Sequence, residues 1–452
     1  MSDRSSFQQA RGDTPLLAER FAALHPPFSR QAVLPEANRC LFCFDAPCTT
    51  ACPTHIDVPR FIKKIATGNL AGSARTILDA NILGGSCARA CPVEVLCEGA
   101  CVMHRYNKQP IQIARLQRFA IDALYDSGAP LPFEPGPDRG QTVALIGAGP
   151  ASLACAAELR RKGICATIYD ERALPGGLNT YGVAEYKLPL KESLREIEML
   201  AELGVEFRFG TAVDATALAD LEHTHDAVFL GLGLGAVHRL GIAGEKLAGV
   251  TDALDFIAGY KSGQVLSAPA RVAVIGAGNT AIDAAIAAVR LGAKTVHLLY
   301  RRGPEQMSAF SFEYEHAKQE GVRFLWHVQT IGIQGTGHVK ALTLVELVPS
   351  ADGSLVPQSG SQFMLDCDLV LLAIGQSTHT DRLGLATDGA PKVQLERGRV
   401  LIDHATGQTS HPKFFAGGDC TNGGREVVDA VADGKRAGIG IAAWLEAQHP
   451  HG

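Results

Sequence analysis

Apolar positions in this chain change rhythm twice. Between Val58 and Leu83 they recur at roughly helical spacing, and Pro110 opens a second such run through Leu124, so the first 130 residues are expected to be helical. Residues 126–141, DSGAPLPFEPGPDRGQ, interrupt every period with four Pro and three Gly, as a linker does. From Thr142 the pattern becomes short β-branched runs, each followed by a Gly-rich turn and an Ala-rich stretch, which is the βαβ order of a doubly wound sheet. TVALIGAGPAS followed by CATIYDER is one such unit, and RVAVIGAGNTAID followed by TVHLLYRR is a second.

Residues 376–452 end in another Gly-rich turn and Ala-rich helix, so the second unit is expected to be inserted within the first. The expected fold class is α/β, with an N-terminal all-α domain over 1–130 and two Rossmann-like nucleotide-binding domains. The first of these is split between 131–235 and 376–452, and the second covers 236–375.

At 452 residues the chain is too long for one core, and its 46% hydrophobic and 20% charged residues argue against disorder. A net charge of −5 gives no basic footprint for nucleic acid. No apolar stretch has the length of a signal peptide or a membrane span, so a cytoplasmic protein with no membrane partner is expected. Thiols stay reduced there, and the 12 Cys need a role other than disulfides.

Eight of those 12 fall between Cys40 and Cys101. The first block, CLFCFDAPCTTACP, holds Cys40, Cys43, Cys48 and Cys52, and the second, CARACPVEVLCEGAC, holds Cys87, Cys91, Cys97 and Cys101. CxxC pairs also make zinc sites, but a zinc ribbon needs two such pairs per ion, whereas here three close cysteines end in a fourth followed by Pro. That run matches bacterial ferredoxins, in which the last Cys ligates the other cluster, and so points to two 4Fe4S clusters. Crossed ligation puts Cys40, Cys43, Cys48 and Cys101 on one cluster and Cys52, Cys91 and Cys97 on the other. The remaining ligand is Cys87 or Gln117, which shares an apolar helical stripe with Ile113, Ala120 and Leu124.

In GAGPAS, Gly147 and Gly149 follow a predicted strand and open a helix, where backbone N–H groups can face a pyrophosphate. Asp170 ends the next strand and can accept from a ribose hydroxyl, while Ser152 stands where a Gly or Ala is usual but remains small. FFAGGDC, at the far end of the chain, supplies Gly418 and Asp419 in a segment of the type that holds ribitol and flavin, so FAD is expected. Gly177, Leu178, Gly375 and Val427 are assigned to the same group of cofactor contacts. In GAGNTAID the candidates are Gly276, Gly278, Asn279 and Thr280, and the following strand ends in Arg301 and Arg302, where an NAD-selective site usually has an acid. Two guanidiniums suit the 2′-phosphate of NADPH. No cysteine pair follows the first Gly-rich turn, which argues against a thiol reductase, and no side chain is assigned a catalytic role.

Carrying these motifs, the sequence resembles the PreT-type flavin and iron–sulfur subunit of bacterial dihydropyrimidine dehydrogenase, from about Asn38 to the C-terminus. The resemblance rests on NRCLFCFDAPCTTACP, CARACPVEVLCEGAC, IARLQRFAID, GAGPAS, GAGNTAID and AGGDC. It implies that Gln117, in LQRF, ligates the second cluster and that Cys87 does not. It further implies hydride transfer from NAD(P)H to FAD and electron delivery to an FMN-containing partner resembling PreA, which reduces uracil or thymine. That family is generally NADH-linked, against the reading of Arg301 and Arg302, and the choice of nicotinamide stays open. The small subunit of glutamate synthase shares the plan but usually has an acid at the position of Gln117. A non-enzymatic iron–sulfur carrier or redox sensor is the rival of a different class.

Overall fold

The computed structural model describes residues 15–350, 353–385 and 393–448. Its first unit is helical, built on Arg30–Asn38, Val58–Ala66, Leu70–Ala80, Gly84–Ala90 and Ile113–Asp126. Phe61, Ile62, Ile77, Leu116 and Ile121 are fully buried between these helices. The apolar run from Val58 to Leu83 is therefore two helices and not one. Gly68 takes φ +77°, in the left-handed region, and the Asn69 side chain then accepts from Gly72 N at 2.8 Å to cap the next helix. The later run begins at Ile113, three residues after Pro110, where the Glu98 carboxylate accepts from Ala114 N at 3.0 Å.

Residues 127–141 form no helix or strand, yet they are pinned: Gly136 N donates to Arg160 O and Arg139 N to Gly163 O, both at 2.9 Å. A Cβ on Gly163 would lie 1.8 Å from Pro137 O, so that crossing requires glycine.

The first nucleotide sheet is parallel, in the order Phe414–Ala416, Ala227–Leu230, Thr142–Ile146, Cys165–Tyr169, Glu206–Arg208. Its outermost strand comes from the far end of the chain, and the intervening residues build a second parallel sheet. That sheet runs Val250–Asp252, Leu369–Leu372, Arg271–Ile275, Thr295–Tyr300, Arg323–Trp326. An antiparallel layer of Val328–Thr336, His338–Pro349, Leu355–Pro357 and Phe363–Asp366 is inserted between its strands Arg323–Trp326 and Leu369–Leu372. The last helix, Val427–Gln448, packs on Pro150–Arg161 through small residues: a Cβ on Gly434 would meet Ala151 O at 1.9 Å.

One continuous core joins the helical unit to the first nucleotide sheet, running from Phe61 and Leu116 to Val143 and Phe229. Near the start of the chain Phe21 stacks on Tyr260 at 4.9 Å, so this segment lies on the second nucleotide unit and not among the helices that follow it. No helix among the described residues is long and apolar enough to cross a membrane.

Candidate functional site

A cavity of about 590 Å³ opens at the ends of the first sheet's strands. This is where ligands sit in open α/β sheets. Gly147, at φ +90°, turns the chain so tightly that a Cβ would be 2.4 Å from Gly231 O. Gly149 has open space on its side-chain side, which leaves backbone facing the cavity at the start of Pro150–Arg161. Gly177, also at positive φ, packs against it, with the place of its Cβ 2.9 Å from Gly149 Cα. Asp170 accepts from Ala148 N at 2.7 Å and from Arg172 N at 2.8 Å. Burial nevertheless holds its carboxyl above the ordinary range. Leu178, Gly418, Asp419 and Val427 complete the wall, so eight sequence-predicted residues from four distant segments meet at one cavity.

Others fall elsewhere. Ser152 is buried behind the turn, its Oγ 2.1 Å from the place of a Cβ on Gly231 and without a partner, so it serves close helix–strand packing and does not reach the cavity. Gly375 lies at the return crossover, where its carbonyl accepts from His238 N at 2.9 Å, and its neighbour Gln376 lines the cavity. Sequence reasoning missed Thr211, His379 and Glu426, all cavity-lining. Thr211 follows the third strand of the unit, a position that could have been counted. Glu426 directly precedes the last helix, and burial with repulsion from Asp429 pushes it up to about 7.

The second Gly-rich turn repeats the geometry of the first. Gly276 has φ +133°, and a Cβ there would meet Ala373 O at 2.1 Å. Asn279 and Thr280 begin the helix Asn279–Arg290, and the Asn279 Oδ1 accepts from Phe310 N at 3.2 Å, tying the turn to the loop beyond the next strand. Gly278 faces that loop too, through Ser308. Arg301 and Arg302 are exposed at the strand end, and no ion pair among the described residues engages them.

The helical unit sorts its cysteines into two groups. Cys40, Cys43, Cys48 and Cys101 surround one small cavity, among Val58, Ile62 and Met103. Cys52, Cys91 and Cys97 surround another, and both Cys87 and Gln117 join them there. Gln117 is buried, with Nε2 donating to Gly84 O at 2.7 Å, which leaves Oε1 as the amide's acceptor. Cys87 Sγ accepts from Asn81 Nδ2 at 3.2 Å. Among the described residues no three His, Cys, Asp or Glu side chains close on the position of a single ion. Burial and the neighbouring Cys101 and Cys40 push the Cys48 thiol up to about 12, and burial with Glu98 raises Cys97 well above its usual value. Thiols crowded in this way become stable thiolates only around a compensating cationic centre, and two polynuclear centres fit the two cavities.

Two dinucleotide turns behind a cysteine-rich helical unit define a flavin- and nicotinamide-dependent iron–sulfur oxidoreductase. Residues 17–129 match the family described as dihydropyrimidine dehydrogenase domain II, 4Fe-4S cluster, and residues 141–434 match pyridine nucleotide-disulphide oxidoreductase. The chain is 35% identical to the glutamate synthase [NADPH] small chain of Escherichia coli, covering 94% of each. It is 32% identical to the NAD-dependent dihydropyrimidine dehydrogenase subunit PreT of the same organism, covering 94% of this chain and 97% of that one. Among solved structures, FprA of Mycobacterium tuberculosis in complex with NADPH shares the fold at a TM-score of 0.53 and 20% identity, over 70% of this chain and 86% of that one. The chain belongs to the family of glutamate synthase small chains and PreT subunits, whose cofactors are FAD, 4Fe-4S clusters and NAD(P)H.

Proposed function

We propose that this chain is the electron-input subunit of a cytoplasmic dihydropyrimidine dehydrogenase. One observation carries the relay: Val427 walls the cavity at the first sheet and Val428, the next residue of the same helix, walls the second cysteine cavity. When bound, FAD accepts hydride from NAD(P)H and the clusters take its electrons singly. Gly147, Gly149, Asp170, Gly177, Gly418 and Asp419 would hold FAD, while Gly276, Gly278 and Thr280 would hold NAD(P)H. The first cysteine set reaches the surface, since Cys43 is only partly buried and Phe44 beside it is fully exposed, so electrons have a short way out.

Gln117 in the second cavity favours the pyrimidine branch, and the pyrimidine itself would be reduced on an FMN-containing partner. The isolated chain is expected to reduce an artificial dye with NAD(P)H and to leave uracil and thymine unchanged. Adding the partner should restore pyrimidine reduction. Uracil reduction by the chain alone would sink the proposal, and a flavin-loaded chain that reduces no dye would mean a carrier or sensor. The second reading, a glutamate synthase small subunit, rests on the relatives of that name. It would gain if a glutamine-dependent partner, and not a pyrimidine-reducing one, accepted the electrons.

Arg301 and Arg302 bear on coenzyme choice. Replacing both with neutral residues is expected to weaken NADPH binding by roughly 1.5–3 kcal/mol per lost charged hydrogen bond while hardly touching NADH. Equal losses for the two coenzymes, read by titration of flavin bleaching, would make the arginines structural.

A further inference from the structure

Glu196 belongs to the first nucleotide unit, on the helix Leu190–Glu202, yet its carboxylate serves the helical unit. It is 2% exposed. Oε1 accepts from Gly85 N at 2.7 Å and from the Tyr125 hydroxyl at 3.3 Å. Oε2 accepts from Ser86 N at 3.0 Å and from Ser86 Oγ at 2.5 Å. The backbone donors form the first turn of Gly84–Ala90, a helix with no side-chain cap of its own, so a carboxylate from more than a hundred residues away does the capping. Gly85 leaves little room for anything else, since a Cβ would be 3.1 Å from Glu196 Oε1.

That turn is where the second cysteine set is fixed. Gly84 O accepts from Gln117 Nε2, Cys87 lies on the helix, and Cys91 directly follows its end. Tyr125 is on the same helix as Gln117, so one carboxylate holds both elements that carry the alternative ligands. Arg89 makes a second connection nearby, donating to Gly85 O at 3.1 Å and pairing with Asp122 at 2.6 Å and Glu192 at 3.3 Å.

We propose that Glu196 is a positioning residue for the second iron–sulfur cluster: through the Gly85–Ser86 turn it sets the backbone from which that cluster's ligands project, and so its electronic state. This rests on the reading that the second cysteine set holds a cluster. Partners one bond removed from metal ligands are known to orient them, and losing one typically changes affinity or activity ten- to hundredfold. Glu196→Gln keeps the size of the side chain but turns one acceptor into a donor facing N–H groups. Glu192→Gln weakens only the outer pairing of Arg89 and leaves its bond to Gly85 O and every Glu196 contact in place.

The experiment uses the anaerobically purified full-length holoprotein. It measures iron and FAD content, the paramagnetic resonance spectrum and midpoint potential of each reduced cluster, and the rate of cluster reduction after mixing with NAD(P)H. Cys97→Ala identifies which signal belongs to the second set. The expected result for Glu196→Gln is a shifted or missing signal from that cluster alone, with cluster reduction roughly ten- to hundredfold slower, and with the other cluster, FAD content and flavin bleaching as in wild type. Glu192→Gln should leave both signals in place. Unchanged signals in an iron-replete Glu196→Gln protein, or equal changes in both clusters and the flavin, overturn the proposal. Wild-type protein without iron overturns the cluster reading beneath it, and is told apart by analysis before any variant is made.

Discussion

Cys48→Ala protein prepared without oxygen is expected to keep about four of roughly eight iron atoms per chain, as the loss of one of two 4Fe4S clusters requires. The half-loss follows from the way the two cavities divide the thiols. Cys48 stands with Cys40, Cys43 and Cys101, and none of these lines the second cavity. A cluster left with three ligands and an apolar wall has no protein group to replace the fourth. Cys97→Ala should take the other half. Cys87→Ala should remove none if Gln117 completes the second set, and loss of iron in Cys87→Ala with Gln117→Ala intact would reverse that assignment. Either single-cluster variant should still bleach its flavin on adding NAD(P)H while failing to pass electrons to a partner. A variant with only one cluster that still drives the partner's reaction would mean that the clusters are not in series.

A pair of alanine substitutions should separate the two dinucleotide sites. In Gly147→Ala the new Cβ would lie 2.4 Å from the Gly231 carbonyl oxygen, and in Gly276→Ala 2.1 Å from that of Ala373. Both positions have positive φ, which alone costs a non-glycine residue about 1–3 kcal/mol. The backbone oxygens behind them belong to sheet strands or their direct extensions and cannot swing aside as a side chain would. Gly147→Ala is expected to bind no FAD, read as flavin missing from the denatured protein, while its iron content is kept. Gly276→Ala should keep its FAD but no longer bleach with NADH or NADPH, though dithionite still reduces it. Full flavin content in the first, or normal bleaching in the second, would show that the corresponding turn carries no cofactor.

The features that could be read from sequence are local in the chain. A glycine turn after a β-branched run, or four cysteines within 13 or 15 residues, announces its geometry through spacing alone. The sorting into Cys40, Cys43, Cys48, Cys101 and Cys52, Cys91, Cys97 matches the way the two cavities divide these thiols. Periodicity could not see the break at Gly68, since apolar residues keep their helical rhythm on both sides of a residue whose backbone alone changes hand. Nor could it place Ser152, whose motif position suggested the cofactor but whose hydroxyl faces the sheet. The antiparallel layer over residues 328–366 and the stacking of Phe21 on Tyr260 were likewise missed, because pairings across long separations leave no periodic trace. Glu196 is the extreme case: in sequence it is one acid on an amphipathic helix, and only the fold puts Gly85 and Ser86 against it.

The continuous core that runs from Phe61 and Leu116 into Val143 and Phe229 bears on how such a protein can be inherited. A recombination breakpoint in residues 127–141 looks harmless from the sequence, because it falls in a stretch with no regular structure. It would nevertheless leave two halves, each exposing apolar surface that the other had covered, and each prone to aggregate before finding a new mate. Gene fusion or shuffling that preserves function therefore has to move the helical unit and the first nucleotide unit as a single cassette. The visible linker is a joint in the chain, but not a joint in the heritable module.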